Sequence, residues 1–323
     1  MEDAISGCLV GLAIGDALGQ PTEGWSPQAV AAKWGYLTGF VGEAALSDDT
    51  EYTLFSAQVL LEHGYALTAD DVAAAWLRDI VPLPGPFRGA GFSEMAAIEN
   101  LRRGLRPPAS GQHYHAWSDG FAMRVAPFAA VYPGNPEAAC RLATEDGVVS
   151  HSGEGLYGGL AVTAGISVAL EGASPADIER AALEAVPGDS WTARALLQAS
   201  DIAKTTPSAR AAIYPLHDAL AVTTYPWTDL APEAVALAFG LLRAGQGDFE
   251  ETLLAAVNLG RDADTVAAIV GALLGAGLGY EKLPKTWRSV ACDASGRCLP
   301  SVRGLSLRAT AVELAALAEA APA

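Results

Sequence analysis

The sequence predicts an all-α protein, one compact helical domain over residues 1–323. Three observations lead to this expectation. Helix-length stretches rich in Ala and Leu alternate with loops containing Gly and Pro. Many of the stretches carry apolar residues at three- and four-residue steps, and Val/Ile runs with period-two alternation are scarce. Helix-start signals recur where the apolar periodicity begins.

In chain order, the first predicted helix covers 4–19. Gly7, Gly11, Gly15 and Gly19 stand at four-residue intervals, so this helix carries a glycine ridge along one face. Each glycine costs roughly 0.5–1 kcal/mol relative to alanine in a helix interior, and close approach of another backbone is the compensating reason. The second helix, 50–63, shows its apolar face at Leu54, Val59, Leu60 and Leu61. The third, 69–80, follows the cap signal of Thr68 with Asp70 and Asp71. Apolar runs bounded by Gly/Pro loops give 93–104, 121–132, 136–146 and 156–171. Ser174-Pro175 opens 175–186, and Asp189-Ser190 opens 191–203. The series continues with 231–244, 248–258, 264–279 and 307–321. In 264–279 the ridge recurs as Gly271, Gly275 and Gly279, so the two ridges are expected to pack as a tight central pair. Longer loops are expected at 82–92, 104–120 and 204–230. No flexible linker divides the chain, and no 30- to 50-residue repeat is visible.

Composition excludes several function classes. The chain has 323 residues, 51% hydrophobic and 18% charged, which excludes a disordered chain or an extended charged coiled coil. Its 20 Lys+Arg against 37 Asp+Glu give a net charge of −17. No long-range attraction draws such a chain to nucleic acid or an anionic membrane. An anionic substrate needs a local cation, or a set of backbone N–H groups, to override that field. Cys8, Cys140, Cys292 and Cys298 are too few and scattered for a disulfide scaffold. The Cys292–Cys298 spacing can close a small loop, though two free thiols are expected. No CxxC pair points to zinc. Met1-Glu2-Asp3 has acids where a signal peptide has bases. The longest uncharged apolar run, Val266 to Tyr280, falls short of the ~20 residues needed to span a bilayer. The expectation is a soluble, cytoplasmic protein with no membrane or nucleic-acid partner.

Two acidic clusters bear on function. Ser47-Asp48-Asp49-Thr50 directly precedes the periodicity of 50–63, and Asp262-Ala263-Asp264-Thr265 directly precedes that of 264–279. Each reads as a helix N-terminus, with Ser47 or Asp262 capping and acids complementing the macrodipole. A cap needs one oxygen, however, and each cluster offers two carboxylates and at least one hydroxyl. Hard oxygen donors without His or Cys nearby favour Mg²⁺ or Mn²⁺ over zinc. If the glycine-ridged regions meet, four carboxylates come to one end of the bundle. That set suits two divalent cations about 3.5–4 Å apart. Glu23, just beyond the first glycine helix, is a third acid of interest.

Taken together, Gly11-Leu-Ala-Ile-Gly15-Asp16-Ala-Leu-Gly19, Glu23, Ser47-Asp-Asp-Thr50, Phe121-Ala-Met-Arg124, Ser150-His151 and Asp262-Ala-Asp-Thr265 resemble the ADP-ribosylglycohydrolase family in its usual order. The resemblance extends from about residue 5 to about residue 280. The last forty residues carry no readable motif. It implies an orthogonal all-α bundle around a binuclear Mg²⁺ or Mn²⁺ centre. The implied reaction cleaves the N- or O-glycosidic bond of an ADP-ribosylated protein or small molecule and releases ADP-ribose. Carried over by position, the metal ligands are Ser47, Asp48, Asp49, Asp262, Asp264 and Thr265. The catalytic candidates are Glu23, Asp264 and Asp49, with Glu23 matching a glutamate that is mobile in some members. Trp117-Ser118-Asp119-Gly120 matches the segment that cradles ribose and diphosphate, and His151 with Gly153 matches a second substrate loop.

Three positions depart from the commonest pattern of the family. Asp119 stands where many members have Asn, adding a negative charge near the expected diphosphate. Arg261 replaces a frequent glycine and is a candidate to restore positive charge there. Ser47 replaces a common threonine and keeps the hydroxyl.

Weaker candidates remain. His113-Tyr114-His115 can bind a soft metal or be incidental, and His63 and His217 read as surface or helix-end residues. Arg88-Gly89-Ala90-Gly91 resembles a small anion-binding turn. Arg124 is expected to pair with a structural carboxylate rather than ligand. Trp117, Phe121 and Tyr157 are candidates either for stacking on adenine or for the core. Alternative functions are hydrolysis of another ribosyl or nucleoside-like compound, hydrolysis of a nucleotide diphosphate, and non-catalytic binding of ADP-ribose.

Overall fold

A computed structural model describes residues 1–84, 89, 91–289 and 293–321. Helices account for all its regular structure among those residues, apart from two isolated bridges, Ser118 with Leu230 and Asp293 with Ser306. The first half contains α1 (Glu2–Gly19), α2 (Pro27–Trp34), α3 (Asp48–His63), α4 (Ala69–Asp79), α5 (Phe92–Arg102), α6 (Ala126–Ala130), α7 (Pro136–Gly147) and α8 (Glu154–Ala169). The second contains α9 (Pro175–Glu184), α10 (Trp191–Thr205), α11 (Ala209–Leu220), α12 (Ala231–Gly245), α13 (Phe249–Leu259), α14 (Ala263–Leu278), α15 (Lys285–Arg288) and α16 (Leu307–Glu319).

The two glycine ridges meet. A methyl added at Gly7, Gly11, Gly15 or Gly19 would overlap the backbone carbonyl of Gly275, Gly271, Ala267 or Ala263 respectively. The descending order of partners makes α1 and α14 antiparallel. Both helices are buried on nearly every face, so they form the centre of the molecule rather than an amphipathic wall. Close backbone approach brings more dispersion contact than alanine would allow, which offsets the helical cost of the glycines. The antiparallel arrangement also places the C-terminal end of α1 beside the N-terminal end of α14.

The cap signals form as expected. Thr68 accepts from Asp71 N at 3.3 Å while Asp71 accepts from Thr68 N at 3.0 Å, closing a capping box. Ser174 accepts from Asp177 N at 3.3 Å, and Ser190 from Ala193 N at 3.0 Å.

Several stretches differ from the sequence expectation, the four-residue α15 among them. α2 begins at Ser26-Pro27, where Ser26 accepts from Ala29 N at 3.2 Å; it is short and largely exposed, so its periodicity is weak. α11 occupies the middle of the expected 204–230 loop. Pro215 lies inside this helix and breaks the sequence signal, while Ala212, Ile213, Leu216 and Leu220 bury one face. The expected helix 121–132 divides into a 3-10 turn, Ala122–Arg124, and the short α6. No helix among the described residues is long and apolar enough to cross a membrane.

Candidate metal centre and active site

The antiparallel central pair creates the site. Asp16, one turn before the end of α1, is fully buried. Its carboxylate accepts from Ser47 N at 3.0 Å, from Thr50 N at 3.3 Å and from the Thr50 hydroxyl. These bonds hold the first turn of α3 against α1. Ser47 caps α3, accepting from Asp49 N at 3.4 Å and donating to Asp49 Oδ2 at 3.2 Å. On the other side, Asp262 occupies the N-cap position of α14 without making a side-chain cap bond. A capping role therefore accounts for Ser47 and leaves Asp262 to another purpose.

Carboxylates crowd this end of the bundle. Oxygens of Asp16, Asp49 and Asp264 lie within 4.8 Å of one another, and so do those of Glu23, Asp262 and Asp264. The two triads share Asp264. Above them opens a cavity of about 380 Å³. The triad residues other than Asp16 line it, together with Asp48, Asp119 and Asp229. Ser47, Thr265 and Gly120 contribute hydroxyls and backbone to the same wall.

This charge is poorly compensated by protein groups. Asp49 Oδ1, Asp119 Oδ2 and Asp264 Oδ1 are buried without a hydrogen-bond partner. A buried carboxylate oxygen without a donor is costly, and such groups are ordinarily paired or bound to metal. Burial pushes the Asp48 carboxyl up to about 7, aided by Asp16. Burial likewise raises Asp49, with Asp264 and Asp16 adding repulsion, and Asp264, with Asp262 and Glu23 adding theirs. Asp262 and Asp119 are raised by burial and then by neighbouring acids, Asp119 for the first and Asp229 for the second. Glu23 is exposed as a residue, yet its carboxyl faces inward, and desolvation followed by Asp229 raises it. Hard oxygen donors, unpaired lone pairs and mutual repulsion together fit divalent cations such as Mg²⁺ or Mn²⁺.

Of the residues expected at the site, the structure gathers Glu23, Ser47, Asp48, Asp49, Asp119, Gly120, Asp262, Asp264 and Thr265 around the cavity. Trp117, Ser118, His151 and Gly153 do not line it. Trp117 packs among Phe92, Trp191 and Tyr225. Ser118 and His151 are buried behind the wall. His151 Nε2 lies 3.1 Å from the Ser118 hydroxyl and 3.4 Å from Glu94, and its Nδ1 lies 2.8 Å from the Ser150 hydroxyl. Burial, with Arg124 nearby, lowers the His151 pKa well below its ordinary value. The imidazole therefore supports the 117–120 loop from inside as a neutral group. Gly153, with φ of 56°, turns the chain into α8 with open space beside it.

Arg124 pairs with structural carboxylates: it is fully buried, donating to Glu94 at 2.9 Å, Asp146 at 2.7 Å and the Gly120 carbonyl at 2.8 Å. Phe121 is fully buried and offers no open face to adenine, while Tyr157 is half-buried, packs on the core and does not line the cavity. Arg261 does not restore positive charge beside Asp119. Its guanidinium is engaged by both oxygens of Glu233, the second at 3.1 Å. His217 is a helix-end residue, in the last turn of α11, and is mostly buried. Arg88 and Ala90 of the anion-binding turn, and Cys292, lie outside the described residues.

Asp16, Asp229, Arg297 and Cys298 belong to the site without having been expected there. Asp16 had one signal, the lone charge in the otherwise largely apolar run 4–19. The other three lie in irregular segments that carry no periodicity.

A profile described as ADP-ribosylglycohydrolase matches residues 1–321. An uncharacterized protein of Archaeoglobus fulgidus is 31% identical over 299 residues, covering 89% of this chain and 91% of its own length. The uncharacterized protein YegU of Escherichia coli is 25% identical over 302 residues, covering 85% of this chain and 87% of its own. A solved structure titled ADP-ribosylglycohydrolase-related protein complex superposes with a TM-score of 0.69 at 25% identity, covering 98% of each chain.

Proposed function

Because this chain belongs to the ADP-ribosylglycohydrolase family, we propose that it hydrolyses the glycosidic bond of ADP-ribosylated substrates at a binuclear Mg²⁺ or Mn²⁺ centre, releasing ADP-ribose. The observation supporting this most is the pair of carboxylate triads that share Asp264 at the floor of the cavity. In this reading Asp264 would be shared by two cation positions. Asp16 and Asp49 would hold one with it, and Asp262 and Glu23 would hold the other. Ser47, Asp48 and Thr265 supply further oxygens at the same wall. When bound, divalent cations supply Lewis acidity and neutralise the approach of an anionic ligand.

The chain's own groups supply the rest. Glu23 stands at the rim, its carboxyl raised by burial and then by Asp229, placed to exchange a proton with water or the departing side chain. Asp49 and Asp264 present unpaired buried oxygens where positive charge develops on the ribose as the bond breaks. Gly120 lets the loop lie against the Glu94 carboxylate, where a side chain would collide, and so forms a thin wall next to the sugar position. Arg124, His151 and Glu94 hold that loop and exclude water from behind it. The protein is proposed to act without nucleic-acid or membrane partners.

Incubating the Mg²⁺- or Mn²⁺-loaded protein with arginine-linked and serine-linked ADP-ribosyl substrates tests the proposal, with products separated by chromatography. Free ADP-ribose is expected from at least one linkage. AMP or inorganic phosphate would identify a phosphohydrolase, and tight binding without turnover a non-catalytic binder.

A further inference from the structure

The C-terminal segment closes one side of the cavity through residues 297–298, and Glu51 holds it there. Glu51 is fully buried in the first turns of α3, two residues beyond Asp49. It has no cationic side-chain partner among the described residues. Its carboxylate instead accepts four hydrogen bonds from one short strap: the Ser295 hydroxyl at 2.9 Å, Arg297 N at 3.0 Å, Cys298 N at 2.8 Å and Leu299 N at 2.7 Å. Three successive backbone N–H groups converging on one carboxylate form a nest, a geometry that fixes the backbone tightly. The strap is also tied back on itself, with Ala294 N donating to Leu305 O at 2.9 Å and Gly304 N to Ala294 O at 2.8 Å. A side chain at Gly89 would run into both Asp48 and Cys298, so Gly89 lies closely against both the strap and the acidic end of α3.

The strap delivers a cation. Arg297 lines the cavity, is exposed, and makes no ion pair among the described residues. Among the described residues, the two other arginines near the site are neutralised, Arg124 by Glu94 and Asp146, and Arg261 by Glu233. Arg297 is thus the one guanidinium among the described lining residues that remains available to a ligand, in a wall otherwise rich in carboxylates. A planar donor fork in that position matches a phosphoryl group. We infer that Arg297 contacts the diphosphate of the ADP-ribosyl group and selects substrates carrying it, and that Glu51 positions Arg297 for this contact. The inference rests on the ADP-ribosyl reading above for the identity of the anion, and on the strap alone for the position of the cation.

Calorimetric titration of Mg²⁺-loaded wild type, Arg297→Ala and Arg297→Lys with ADP-ribose, ADP and adenosine tests this. Arg297→Ala is expected to weaken ADP-ribose and ADP by about tenfold, as for loss of one partly exposed charge-assisted contact. Adenosine affinity is expected to stay unchanged, and lysine to recover part of the loss. Unchanged affinity for ADP-ribose and ADP in Arg297→Ala, or an equal loss for all three ligands, overturns the inference while leaving the proposed reaction standing. Should wild type bind ADP in an Arg297-dependent way but not ADP-ribose, the inference holds for phosphoryl groups and the proposed substrate falls. If wild type binds neither ADP-ribose nor ADP, both are wrong.

Discussion

Asp16 and Thr50, thirty-four positions apart, are joined by two hydrogen bonds: the buried carboxylate of Asp16 accepts from both the hydroxyl and the N–H of Thr50, the latter at 3.3 Å. Through this contact the central helix α1 determines where the acidic first turn of α3 sits. Asp16 also faces Asp49 and Asp264. One residue therefore serves both the packing and the candidate metal centre.

Asp16→Ala removes the acceptor of the Ser47 and Thr50 donors in a buried place. Relief of carboxylate crowding offsets part of the cost, so the expected loss is about 2 kcal/mol in Mg²⁺-containing buffer, read by urea unfolding. Cation affinity, measured by titration with Mn²⁺, is expected to fall as well. Wild-type stability together with wild-type affinity would remove Asp16 from both roles.

Gly15→Ala forces a methyl into the backbone of Ala267 and Ala268. Neither backbone can yield without separating α1 from α14, so a loss of about 3 kcal/mol or more, or failure to fold, is expected. Gly39→Ala serves as its control. That position has open space and no unusual backbone angle, and its stability is expected to change by less than about 1 kcal/mol. Similar melting temperatures for the two variants would contradict the packing account.

Metal-free protein is expected to lose stability as pH rises. Burial and mutual repulsion raise the folded-state carboxyls, Asp48 to about 7 from an ordinary value of 3.8, with Asp49, Asp262 and Asp264 also raised. Between those limits the folded state binds more protons than the unfolded one. Stability contributed by the protonated acids is therefore full below about pH 4 and is lost as pH climbs through the folded values. Thermal melts of chelator-treated protein at pH 5 and pH 8 check the sign, and added Mg²⁺ or Mn²⁺ is expected to recover the pH 8 value. A rise in melting temperature from pH 5 to pH 8 without metal would refute it.

Asp264→Asn is expected to abolish turnover and to weaken both cation positions together, since its oxygens belong to both triads. Asp48→Asn is also expected to abolish turnover with a smaller loss of cation affinity, as Asp48 lies in neither triad. Circular dichroism of both is expected to match wild type. Independent, undiminished binding of two cations to Asp264→Asn would mean that Asp264 is not shared by the two positions.

Asp119→Asn keeps the size of a buried side chain and removes its negative charge. If diphosphate lies nearby, ADP-ribose affinity is expected to rise by roughly threefold to tenfold, as for one relieved like-charge contact. Unchanged affinity in the same calorimetric assay places the diphosphate elsewhere.

Much of this molecule was legible in its amino-acid order. The four-residue spacing of Gly7, Gly11, Gly15 and Gly19 identified a helix that another backbone must approach, because a local pattern of missing side chains needs no partner to be recognised. Doubled acids at 48–49 and at 262 and 264 exceeded what a cap needs, and both clusters reach the cavity. Other features depended on contacts no local pattern encodes. α11 was hidden by Pro215, and its helix shows only once Ile213 and Leu216 are seen buried against neighbours. Arg261 was an apparent counter-charge for Asp119 until Glu233, twenty-eight positions away, was found holding it. Arg297 had no signal at all, since its place in the wall follows from Glu51 gathering three backbone N–H groups from a strap some 250 positions further along. Periodicity and residue chemistry are properties of neighbours in the chain and can be read there. Which charges end up paired and which remain open to a ligand is decided by packing between distant segments, and only the folded arrangement contains that information.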